Sequence, residues 1–77
     1  MKVHFDPQVD VLRIIFRDVP IEESDEEKPG VILDYDKNGL IVGVEILDAS
    51  KQNMNPRSIE YSIAEDVRSV QGSSGLG

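Results

Sequence analysis

Hydrophobic and polar positions recur with a period of two along much of this 77-residue chain. That spacing belongs to strands with one buried face rather than to helices. The clearest stretch runs from Pro29 to Ser50 and predicts a β-hairpin turning at Asn38-Gly39. A two-residue loop there sets Tyr35 opposite Val42, Leu33 opposite Val44 and Val31 opposite Ile46, one unbroken apolar face. Asp34 then lies opposite Gly43, and Ile32 opposite Glu45, on the wetter face. A three-residue loop slips the register by one, setting Leu33 against Gly43 and Val31 against Glu45 and so mixing the faces. A four-residue loop also keeps them sorted. Asn-Gly favours the two-residue form, because a type I′ turn needs positive φ at both central positions.

The start of the chain predicts a second hairpin. Met1 to Asp6 reads as a strand with Val3 and Phe5 inward and Lys2, His4 and Asp6 outward. Asp6-Pro7-Gln8-Val9-Asp10 is a turn, Pro7 presetting φ and the Asp6 carboxylate reaching the backbone two residues on. Val11 to Arg17 is the next strand, with Leu12, Ile14 and Phe16 on one face. A four-residue loop from Pro7 to Asp10 pairs Phe5 with Leu12 and Val3 with Ile14, like with like.

Asp18 to Lys28 holds the run Glu22-Glu23-Ser24-Asp25-Glu26-Glu27. Such a run repels itself and is expected to be a mobile, solvated loop. Past Ser50 the pattern is double. Ile59, Tyr61 and Ile63 alternate as in a strand, while Ile59, Ile63, Val67 and Val70 fit helical spacing behind an Asn55-Pro56 start. Isoleucine and tyrosine favour the strand over Ser58–Ala64. Gln71 to Gly77, rich in Gly and Ser, is expected to be a flexible tail.

The expected fold is therefore mainly β: an antiparallel meander of four to five strands, one domain over residues 1–70. The alternative is α+β with a C-terminal helix at about 56–70. One face of the sheet gathers Val3, Phe5, Leu12, Ile14, Phe16, Val31, Leu33, Tyr35, Val42, Val44 and Ile46. Burying each such side chain is worth ~1.5–3 kcal/mol, so the face needs a cover. No other stretch is long and apolar enough to supply it. A homodimer, two copies packed face to face or sharing an edge, is expected.

Composition sharpens this. A chain so short buries only roughly 60% of its unfolded surface, and with no cysteine it has neither disulfides nor thiolate zinc sites to staple it. Net charge is −7, from 15 acidic against 8 basic residues. That argues against nucleic acid and anionic membrane as partners and is compatible with a small basic protein. No apolar run has the length of a membrane span and no signal-like start is present, so a cytoplasmic protein is expected.

Asp34 to Glu45 matches the calcium-loop pattern D-x-[DN]-x-[DN]-G-x₅-E. Its flanks are short and β-branched instead of helical, and Val42 stands at the ninth, ligand-bearing position, so the hairpin reading prevails. Asp34, Asp36 and Glu45, on the wetter face, remain candidates for a weak surface cation site. His4, the only histidine, has Asp6 two residues away, but no nucleophile is spaced to join them. With no serine elbow, phosphate-cradling loop or Cys/His cluster, no enzymatic activity, cofactor or dedicated metal site is expected.

Asp6 to Ile14, Pro29 to Asp36 and Leu40 to Ser50, the last ending Gly-Val-Glu-Ile-Leu-Asp-Ala-Ser, resemble the domain-of-unknown-function 2283 family of small prokaryotic proteins. The resemblance covers about residues 3 to 51, with Arg13 where a tyrosine is usual. It implies no activity and no functional residues. Some members are encoded beside small toxin-like proteins, and the resemblance implies, by that association alone, an antitoxin-like role.

Overall fold

The computed structural model describes residues 1–65. They form one open antiparallel sheet of five strands: β1 (Lys2–Asp6), β2 (Val11–Ile15), β3 (Glu23–Lys28), β4 (Val31–Tyr35) and β5 (Ile41–Leu47). A single 3₁₀ turn, Ala49–Lys51, follows. The spatial order is β1-β2-β5-β4-β3. This is not the expected meander: β2 lies beside β5, and the chain between β2 and β3 travels to the far edge. Apolar register explains the choice. Leu12 aligns with Ile46 and Ile14 with Val44, extending the face that Phe5–Leu12 and Val3–Ile14 begin in the first hairpin.

The acidic run is the largest departure from expectation. Residues 23–28 are a strand, paired with β4 from Glu23–Tyr35 to Lys28–Val31 with an irregularity between Glu26 and Lys28. An outermost strand borrows its hydrogen bonds from one neighbour, and its side chains can stay in water, so it needs no apolar alternation. Every residue of β3 is exposed.

The β4–β5 hairpin reaches the predicted pairing by another route. Val31–Ile46, Ile32–Glu45, Leu33–Val44 and Asp34–Gly43 stand as expected, but Tyr35 aligns with Ile41 rather than Val42. The Gly39 N–H donates to the Asp36 carbonyl (3.0 Å) and the Asp36 N–H to that of Leu40 (2.8 Å). Gly39 has φ +79° while Asn38 is not left-handed, so the loop is a three-residue turn closed by a left-handed glycine, not a type I′ turn. That loop alone would scramble the faces. A bulge that leaves Val42 as the extra residue cancels the slip. The bulge draws β5 against β2: the Phe16 N–H donates to the Val42 carbonyl (2.8 Å), and a Cβ on Gly43 would lie 2.5 Å from the Ile14 carbonyl oxygen.

The buried core is small, comprising Leu12, Val42 and Ala49 together with Pro56. Beyond the 3₁₀ turn the chain folds back over the β1–β2 end, where the Arg57 guanidinium sits 5.6 Å from the centre of the Phe5 ring. The strand expected over Ser58–Ala64 is absent; these residues are exposed and carry no regular structure. Residues 56–65 are not helical either, and the rest of that alternative, like the Gln71–Gly77 tail, lies outside the described residues. No helix of the described residues is long and apolar enough to cross a membrane.

Candidate interaction surface

Register sorts the sheet into two unlike faces. On one, Val3, Ile14, Val44 and Leu33 form a row across four strands, flanked by the row Phe5, Leu12, Ile46 and Val31. Among the described residues no element lies over this face apart from the crossing near Leu12 and Phe5. Val3 is 39% exposed, high for a member of an apolar row, and Phe16, the residue after β2, is 40% exposed. A groove of about 490 Å³ opens between Val3, Leu12 and Ile14 on the sheet and Pro56, Ile59 and Tyr61 of the returning chain.

The border of this face at β3 is acidic. Asp25 follows Leu33 across the sheet, Glu23 follows Tyr35, and a Glu27 carboxylate oxygen accepts from the Tyr35 hydroxyl at 3.5 Å. Partial burial, then the Glu27 and Asp25 charges, raise the Tyr35 phenol above its ordinary value. The opposite border carries Arg57.

The other face holds a polar row, His4, Arg13, Glu45, Ile32 and Glu26. Asp34 lies beside that row and is 2% exposed. Its Oδ1 accepts from the Ser24 hydroxyl at 2.6 Å. Burial first, and then the adjoining Asp34 carboxyl, raise the Glu45 carboxyl above its ordinary value, against the pull of Arg13. That pull is weak: Arg13 Nε stands 3.9 Å from Glu45 Oε1 and has no hydrogen-bond partner.

Asp34, Asp36 and Glu45 do not converge. Asp34 and Glu45 are neighbours, but Asp36 is occupied elsewhere. Its Oδ1 accepts from the Asn38 and Leu40 N–H groups (2.8 and 3.0 Å), and its Oδ2 from Arg17 Nη2 (2.7 Å). These bonds, Arg17 first, lower its pKa. The residues that imitate a calcium loop thus build the hairpin turn, where an aspartate capping free N–H groups ahead of Asn-Gly serves the backbone instead of an ion. Among the described residues no group of three or more acidic or histidine side chains could hold a metal. His4 is exposed, and the Asp6 carboxylate accepts from the Gln8 N–H (3.0 Å) as the turn expectation requires.

Two features escaped the sequence reading. Asp10, left-handed at φ +58°, clasps the far end of β5: its carboxylate accepts from the Ser50 N–H (3.0 Å) and hydroxyl (2.7 Å), and its carbonyl from the Ala49 N–H (3.0 Å). The Ser50 hydroxyl chiefly, then its N–H, lower the Asp10 pKa. This ties the first turn to the Asp48-Ala49-Ser50 segment. The second feature is the seat of Arg57, set by a loop that gives no pattern to read.

A model of the family described as "Protein of unknown function (DUF2283)" matches residues 2–50, from β1 through the Ser50 clasp. No curated protein and no solved structure matches the chain.

Proposed function

The chain belongs to the DUF2283 family, and from the geometry of its sheet we propose that it is a non-enzymatic interaction module working as a homodimer. The apolar face of one copy is covered by that of a second. One observation carries this reading: two apolar rows cross four strands, yet Val3 and Phe16 stay about two-fifths exposed (39% and 40%). A patch of that kind is a normal mark of an association surface. The acidic β3 border supports a further version, in which the dimer engages a small basic protein in an antitoxin-like role. Cation binding by the hairpin draws no such support, since Asp36 is already paired with Arg17.

Phe16→Asp tests the reading, because that side chain is exposed enough to change without unfolding the sheet. By light scattering the native protein is expected at twice the 8.6 kDa chain mass and the variant at the single mass, with unchanged circular dichroism. A native protein at the single chain mass would remove the homodimer, and a variant that stays at twice that mass would take the Phe16 face out of its seam. For the basic partner, co-purification from the native host is the test, and repeated recovery of the homodimer alone would count against it.

A further inference from the structure

The open sheet ends in two strands with one bare backbone edge each, β1 on one side and β3 on the other. Apart from the β1–β2 ladder, no backbone–backbone hydrogen bond among the described residues involves Lys2 to Asp6. The two edges are guarded unequally. β3 is exposed throughout and reads Glu-Ser-Asp-Glu-Glu-Lys. Two such strands laid antiparallel near full overlap set carboxylate against carboxylate, which defends that edge.

β1 has no such guard, because Lys-Val-His-Phe-Asp is complementary to its own reverse. Paired antiparallel about a two-fold axis at His4, Lys2 meets Asp6 of the other copy, Val3 meets Phe5, and His4 meets His4. Directly opposed residues share a face, so the polar residues stay on the polar side and the apolar rows continue across the seam. A slip of one residue sets Val3 or Phe5 against His4 and mixes the faces. A slip of two shortens the ladder. Asp6 Oδ1 accepts from the Gln8 N–H at 3.0 Å, which leaves Oδ2 for the ammonium.

We propose that β1 is a self-pairing edge, along which two copies join antiparallel over Lys2–Asp6 about a two-fold axis at His4. Within one copy Val3 and Phe5 have a lateral neighbour on one side only, Ile14 and Leu12, and Val3 is 39% exposed. The pairing supplies the missing neighbour to both. It is a contact separate from the face pairing above, does not depend on it, and leaves the apolar face open. Five residues a side bury far less than the ~800 Å² per partner of a stable interface. The contact is therefore weak, belongs to concentrated protein, and draws its strength from backbone hydrogen bonds.

Cysteine cross-linking tests it, since the chain has no cysteine of its own. Position 4 lies on the axis, its Cα ~4.5–5.5 Å from its twin, within reach of a disulfide. Position 2 lies ~13 Å from its twin, four residues along the ladder, and is out of reach. At millimolar protein under a thiol oxidant, His4→Cys is expected to cross-link ~10-fold faster than Lys2→Cys. Adding Lys2→Glu to His4→Cys should slow the reaction only ~3-fold at low salt and less at high salt, so lost charge does not account for the difference. The His4→Cys cross-link is also expected to persist in the Phe16→Asp background, where the face pairing is broken. Equal rates at positions 4 and 2, a faster rate for Asp25→Cys on β3, or loss of the cross-link with Phe16→Asp would each overturn the pairing.

Discussion

The two faces of the sheet invert the usual relation between polarity and burial. On the polar face Asp34, a carboxylate, is 2% exposed, enclosed by Ser24 and Glu45. On the apolar face Val3 and Phe16 remain partly in water. An isolated single-layer sheet buries a side chain only beneath its neighbours, so a short residue between long ones disappears while a large one at a border does not. Burial within one copy therefore does not identify the side on which the fold is unfinished. Among the described residues the apolar face has no covering layer beyond the chain that returns over its β1–β2 end, and in the proposed homodimer a second copy would supply one without any new element.

The largest test of this contrast falls where the two central strands touch. Gly43→Val places a Cβ against the Ile14 carbonyl and should cost about 4 kcal/mol or more, enough to unfold so small a domain in a thermal melt. Next comes the apolar face: Leu12→Ala should cost ~3 kcal/mol in urea denaturation, by lost transfer energy and the cavity left. Asp34→Ala, although Asp34 is the less exposed of the two, should cost about 1 kcal/mol or less, because the exposed Ser24 hydroxyl turns to water. Equal costs at the two positions would break the contrast between the faces.

The smallest effect is a gain. A carboxyl with a raised pKa favours the fold while protonated, and that contribution is lost as pH rises through the folded value. Glu45 is such a group, raised from 4.5. Glu45→Gln should therefore raise the thermal midpoint at neutral pH and leave it unchanged below 4.5. Asp10 and Asp36 act in the opposite sense. Their values are lowered from 3.8, so their stabilisation is present above that pH and fades below it. The acid limb of the stability curve should thus persist in the Glu45→Gln variant.

What could be read from the chain was whatever local alternation decides. Val3, Phe5, Leu12 and Ile14 pair as their spacing dictates, and so do Val31, Leu33, Val44 and Ile46. Alternation did not reveal β3, because an exposed edge strand needs no apolar side. Nor did it disclose that β2 sits beside β5, a choice made among distant rows. At Ile59, Tyr61 and Ile63 it pointed to a strand that does not form: the pattern is present, but no neighbour offers it hydrogen bonds. The candidate cation residues were misleading for a related reason, since Asp and Asn ahead of glycine suit an ion and a turn alike. The Asp10–Ser50 clasp joins positions 40 residues apart and leaves no local trace.

Isotope-filtered NMR on a mixture of labelled and unlabelled copies addresses the covered face most directly. Contacts between chains are predicted among the methyl groups of Val3, Ile14, Leu33 and Val44. Contacts confined to Ile15, Ile32 and Leu47 on the polar face, or none at all at millimolar protein, would contradict the account.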